Sequence, residues 1–218
     1  MYEALSVDRP AEARSRRYAE VRANVAALLD GESDWIAAMA TVVCELHHAF
    51  EYYDWTGFYR VVGPQQLAIG PYQGAHGCLR IAFDRGVCGA CAREQRTQLV
   101  PDVEKFPDHI ACSSTTRSEI VVPVVTPSGG LIAVLDVDSD RLGAFTDIDR
   151  FGLEVLCADL AARFADQLPP DDTSGDDRPR TQRHGDLRAF DGLNDTPTPA
   201  PRYSDGPFEA RAPVGDED

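Results

Sequence analysis

Glu119-Ile-Val-Val-Pro-Val-Val125 and Leu131-Ile-Ala-Val-Leu-Asp-Val137 are the two longest strand-like runs in the chain, joined through Thr126 by Pro127-Ser-Gly-Gly130. β-branched residues dominate the first run and apolar residues the second, and Pro, Ser and Gly are the residue types of a tight reversal. This stretch therefore predicts an antiparallel hairpin. Upstream, Trp55 to Val62 and Leu67 to Tyr72 form a second strand pair around Gly63-Pro64, and Leu79 to Phe83 and Gln98 to Val100 are shorter strand candidates. A short helix over Cys88 to Glu94 lies between the last two. Some six strands follow, consecutive ones close enough to pair antiparallel.

Helices flank this block. Tyr18, Val21, Val25 and Leu28 recur at helical spacing within Ala11 to Leu29, with Gly31 as a stop. A second helix starts after Ser33 as N-cap, with Ile36, Met39, Val43, Leu46 and Phe50 on one stripe and Cys44 near it as a buried small hydrophobe. A closing helix is capped by Thr146 with Asp149 three residues on, and its apolar face is Ile148, Phe151, Val155, Leu156 and Leu160, with Cys157 in the core. The expected class is α+β: one domain over 33–168, preceded by a helical segment over 1–32.

From Pro169 to Asp218 the composition changes. Eight of the 15 prolines and twelve acidic residues against six arginines fall there, with no cysteine. Such a segment buries too little surface to offset its ordering entropy, so 169–218 reads as a disordered acidic tail, with Phe190 and Tyr203 as candidate centres of a short partner-binding motif. The net charge of −15 argues against a nucleic-acid partner, since phosphates call for Lys and Arg. No run of about 18 apolar residues suggests a membrane span. The first ten residues lack the apolar core of an export signal, so a cytoplasmic address is expected, where thiols are held reduced.

The six cysteines then need a reason other than a disulfide framework. Four lie between Gly74 and Asp138: Cys78, Cys88, Cys91 and Cys112. A metal site drawn from His76, Cys78, Cys88, Cys91, His109 and Cys112 is disfavoured, because only Cys88 and Cys91 form a close ligand pair. A thioredoxin-like Cys88-x-x-Cys91 couple lacks its βαβ context. The third reading is a reductase or peroxidatic thiol with partners distant in sequence. Cys88 sits at the start of a helix, which favours a thiolate, and Cys112 lies in a loop of small and polar residues suited to movement. Glu119 opens one strand, while Asp136 and Asp138 alternate with Leu135 and Val137 on another. Both aspartates then face one side, either as a solvated face or as a pocket of acids that pairs with a ligand ammonium and keeps one member protonated.

The series Trp55-Thr-Gly-Phe-Tyr59, Arg85-Gly-Val-Cys88-Gly, Val103 to Pro107, His109-Ile-Ala-Cys112, Ser118-Glu-Ile-Val-Val-Pro123 and Leu135-Asp-Val-Asp-Ser139 resembles the free methionine-(R)-sulfoxide reductase family, built on a GAF domain. The resemblance spans Ser33 to Ala165. Cys91 and the tail fall outside its pattern. It implies reduction of free L-methionine (R)-S-oxide by Cys112 as nucleophile, with Cys78 as main resolving thiol and Cys88 as second resolver. An oxidised Cys78–Cys112 disulfide would then be reduced by thioredoxin, itself fed by NADPH through thioredoxin reductase. It also implies Glu119 and Asp138 at the sulfoxide oxygen, Asp136 nearer the substrate ammonium, and Trp55 and Tyr59 as pocket walls. No bound cofactor or metal is implied, and a homodimer is the candidate assembly. The competing reading is a ligand-binding GAF sensor without catalysis.

Overall fold

The computed structural model describes residues 3–107 and 115–165, so His109, Cys112 and the segment 169–218 lie outside the described residues. Helix α1 (Ala11–Leu28) ends one residue short of the predicted span and buries Tyr18, Val21 and Val25, whereas Leu28, expected on the same stripe, is 60% exposed and Leu29 is buried. Helix α2 (Trp35–Ala49) begins one residue later than the Ser33 cap implies. Asp34 is the N-cap, its carboxylate accepting from the backbone N–H groups of Ile36 and Ala37. Met39, Val43 and Leu46 are buried, together with Ala38 and Val42, while Ile36 is exposed. Cys44 is exposed as well, contrary to its expected burial. It lies one residue past Val43, about 100° round the helix from the stripe.

The six expected strands are β1 (Trp55–Gly63), β2 (Gln66–Gln73), β3 (Arg80–Ala82), β4 (Gln98–Val100), β5 (Ser118–Val125) and β6 (Leu131–Ser139). They form one antiparallel sheet in the order β3-β2-β1-β6-β5-β4. β3 is shorter than the predicted Leu79 to Phe83, and Leu79 is 74% exposed outside it. The β5–β6 turn closes through Thr126 N–H to Gly130 O at 2.9 Å and Gly129 N–H to Thr126 O at 2.8 Å. Gly129 has φ +91°, a conformation that a side chain resists. The two ribbons meet where β1 pairs with β6, from Trp55 opposite Asp138 to Arg60 opposite Ala133.

Strand alternation separates two cores. Phe58, Ile120, Val122, Leu135 and Val137 face α1, α2 and the closing helix α4 (Asp147–Phe164). Tyr59, Val121 and Val134 face the opposite way, beneath α3 (Gly86–Glu94) with its Val87, Cys88 and Cys91. The Thr146–Asp149 capping box forms as predicted, and Leu153, Leu156, Cys157 and Leu160 are buried. Phe151 is instead 70% exposed, on the far side of the helix from the buried Leu153. Asp149 also does more than cap. Its Oδ2 meets Arg14 Nη1 at 2.7 Å, and its Oδ1 accepts from Tyr18 at 2.8 Å and Tyr52 at 2.7 Å. α1 is thereby tied to α4 and to the segment leading into β1. No described helix is long and apolar enough to cross a membrane.

Candidate active site

Three neighbouring strands place the predicted acids on the α3 side of the sheet. Glu119 on β5 lies opposite Asp138 on β6, and Val121 lies opposite Asp136. On the other flank of β6, Asp138 faces Trp55 and Asp136 faces Gly57. A period of two then makes Glu119, Asp136, Asp138, Trp55 and Tyr59 one contiguous surface. All five sequence-predicted binding residues are thus brought together, because they belong to three adjacent strands.

α3 closes over this surface. Gly89 permits the approach: a Cβ there would lie 2.6 Å from the Ala82 carbonyl oxygen. The Cys88 thiol donates to Asp136 Oδ2 at 3.3 Å, and the polar atoms of Cys88, Glu119 and Asp136 all lie within 4.8 Å of one another. Asp136 Oδ1 is buried without a hydrogen-bond partner among the described residues.

The electrostatics overturn the thiolate expected of Cys88. Burial, then Asp136 and Glu119, push the Cys88 thiol well above its ordinary range. A helix N-terminus stabilises an anion by only about 0.3–2 kcal/mol, too little to oppose desolvation and two acids at once. The acids themselves are driven upward. Glu119 is raised by burial and then by Asp136 and Asp138, and Asp138 by burial and then by Asp136 and Asp54. Asp136 is raised to about 7 by burial, with hydrogen bonds from Cys88 and Glu119 pulling the other way. Such a group holds protons near neutrality. It can donate one to a departing oxygen, and an incoming ammonium would favour ionisation of another.

The wall beside the acids is aromatic. Trp55 lies stacked between Tyr59 and Tyr72, with ring centroids 5.8 and 5.5 Å away, and its Nε1–H donates to Ala75 O at 3.0 Å. Gly57 is required beneath it, since a Cβ there would come within 2.5 Å of both the Trp55 ring and Tyr72 Cβ. Tyr72 was not a sequence candidate: it ends a strand and is 37% exposed, so nothing in the residue pattern signals the stacking.

Cys78 is half-buried at the edge of the same core and is disulfide-bonded, and its backbone hydrogen-bonds the Tyr59 hydroxyl. Cys44, Cys88, Cys91 and Cys157 carry free thiols. His76, from the disfavoured metal set, is exposed.

Residues 34–164 match the GAF domain family model. The free methionine-R-sulfoxide reductase of Escherichia coli (strain K12) is 39% identical over 143 residues, covering 66% of this chain and 86% of that protein. GAF domain-containing protein A of Dictyostelium discoideum is 45% identical over 136 residues, covering 62% of this chain and 85% of its own. Among solved structures, free methionine-R-sulfoxide reductase from Neisseria meningitidis, in complex with its substrate, superposes with a TM-score of 0.67 at 38% identity, covering 76% of this chain and 96% of that one.

Proposed function

Because the chain belongs to the GAF family and, within it, to the free methionine-(R)-sulfoxide reductases, we propose that it reduces free L-methionine (R)-S-oxide to methionine. The observation that carries this reading is the group of proton-holding acids, Glu119, Asp136 and Asp138, beside an aromatic wall and a thiol-bearing helix. A free amino acid bears an ammonium that one acid can hold. The sulfoxide oxygen needs a proton as it leaves sulfur, which another acid can supply. Trp55 and Tyr59 offer apolar faces to the methyl and methylene groups.

In the proposed reaction the Cys112 thiolate attacks the sulfoxide sulfur and Glu119 or Asp138 protonates the oxygen. The oxygen passes to the cysteine, which becomes a sulfenic acid as the substrate sulfur gains two electrons and leaves as the thioether. The Cys78 thiol then displaces water from the sulfenic acid, giving a disulfide that the dithiol of thioredoxin reduces by exchange. In support, Cys78 is disulfide-bonded whereas Cys44, Cys88, Cys91 and Cys157 are free. The raised Cys88 thiol suits a reserve resolver better than the attacking group. A cytoplasmic setting, where thioredoxin and NADPH are available, completes the cycle.

The test is rapid-quench measurement of methionine release without thioredoxin. The parent and Cys78→Ser should each release about one methionine per site, and Cys112→Ser none. Full release by Cys112→Ser with none from Cys88→Ser would transfer the nucleophile to Cys88. An N-acetylated, amidated substrate should fail, because it leaves an acid buried opposite an amide. Saturable binding of the free sulfoxide with no release from any variant would favour a sensor.

A further inference from the structure

Cys88, Glu119 and Asp136 meet the demands of a ligand set as well as those of a proton store. We propose that this cluster binds one thiophilic divalent cation of the zinc type, and that the cation and methionine sulfoxide exclude one another. The exclusion rests on the reductase reading; the metal site does not.

The ligand atoms, one sulfur and two carboxylate oxygens, all lie within 4.8 Å of one another. With bonds of about 2.3 Å to sulfur and about 2.0 Å to oxygen, a tetrahedral ion separates its S and O ligands by about 3.5 Å. Cys88 Sγ and Asp136 Oδ2 are 3.3 Å apart, so they can form one edge of that tetrahedron without moving the backbone. The three residues are 4%, 6% and 6% exposed, which restricts their geometry. An independent observation points to a missing partner: Asp136 Oδ1 is buried with no hydrogen bond among the described residues.

The donor set selects the ion. Magnesium and calcium take six or more oxygens, and a thiol in a three-ligand group does not suit them. A thiolate with carboxylates suits zinc and its spectroscopic stand-in cobalt. On binding, the thiol proton and any carboxyl protons leave to solvent, the metal–sulfur bond replaces the S–H bond, and no electrons move. Two positive charges then offset the burial that raises both acids and the carboxylate neighbours that raise Glu119 further. Three protein ligands leave a fourth position for water, as in an open zinc site. The cation would occupy the acids that the reductase reading assigns to the substrate ammonium and oxygen, so it would act as a competitive inhibitor.

The experiment uses the full chain in its disulfide form with Cys44→Ser, which removes the exposed thiol beside His48. Titration with Co²⁺ should give one equivalent bound, with thiolate-to-cobalt charge-transfer absorption that Zn²⁺ displaces. Adding Cys88→Ser should abolish the absorption, and adding Asp136→Asn should weaken Co²⁺ binding by at least about tenfold, with circular dichroism confirming both folds. Free L-methionine (R)-S-oxide should bleach the band. No band in the parent, or a band that survives Cys88→Ser, overturns the metal site; a band untouched by the sulfoxide overturns the exclusion. Co²⁺ bound through Cys88 by a protein that never consumes the sulfoxide would leave the metal site standing and sink the reductase reading. Sulfoxide turnover without a Cys88-dependent band would do the reverse.

Discussion

Each side of the sheet encloses carboxyl groups, and the two sides treat them in opposite ways. In the first turn of α4, Asp149 is 0% exposed and fully engaged, by the Arg14 guanidinium, the Tyr18 and Tyr52 hydroxyls, and the backbone and side chain of Thr146. Beneath α3, Asp136 is 6% exposed, its Oδ2 accepts from a thiol, and its Oδ1 has no partner among the described residues. Desolvation is costly in both places, but only the first site includes a cation that compensates it. Burial alone therefore does not mark a functional acid. At Asp136 burial leaves a bonding position over, which costs stability.

The largest expected effect breaks the satisfied side. Asp149→Ala strands a buried guanidinium and removes the acceptor for two tyrosines, and should cost about 3–5 kcal/mol of stability in urea unfolding. A loss below about 1 kcal/mol would show that the network is decorative.

The next prediction sharpens the contrast from the other side, through pH. Asp136 is raised to about 7 in the folded state, so the folded protein holds a proton that the unfolded chain has released. The resulting stability is complete below the ordinary carboxylate range and is lost as pH rises through about 7. Between about pH 5 and about pH 8 the melting temperature of the ligand-free parent should fall. Asp136→Asn should flatten that slope and melt higher than the parent at the alkaline end, by a margin of about 1–3 kcal/mol, while losing methionine sulfoxide turnover. Identical slopes in parent and variant would remove the frustrated acid from the picture.

The smallest effect isolates one arm of the Asp149 network. Thr146→Ala removes a cap to Ile148 N–H and a hydroxyl that donates to Asp149, yet leaves Arg14 and both tyrosines in place. A cost of about 1 kcal/mol is expected from chemical unfolding. A value near that of Asp149→Ala would mean that the cap, not the guanidinium, orders the site.

These residues also show what could be read from the chain. The β5–β6 hairpin was legible because its signals are local: two apolar runs rich in valine and isoleucine, and a turn of residue types that tolerate its geometry. Alternation put Asp136 and Asp138 on one face, and the family resemblance grouped them with Glu119, Trp55 and Tyr59, residues that the sheet brings together. The chemistry of Cys88 was not legible. Sequence shows the helix start above it but not the acids beneath it, which come from strands far along the chain. Leu28, Cys44 and Phe151 were misplaced for a smaller reason, since a step of one or two residues around a helix carries a position off its buried stripe. Asp149 was legible only as a cap. Its bonds to Arg14 and Tyr18 span more than a hundred residues, and Tyr18 gave no sign in an apolar stripe that its hydroxyl would be the useful part.

The strand order has a consequence for how the molecule comes into being. β1 with β2 and β5 with β6 are hairpins whose ends lie close in sequence, but the β1–β6 junction joins opposite ends of the strand-bearing segment. Closing that junction carries a loop entropy that the hairpins do not, and so belongs late in the folding reaction. Trp55 meets Asp138, and Gly57 meets Asp136, in that same junction. A nascent chain, or one half-unzipped by heat, can therefore hold both hairpins while Trp55 and the two aspartates are still apart, so the candidate site arrives with the last seam and departs with the first one lost.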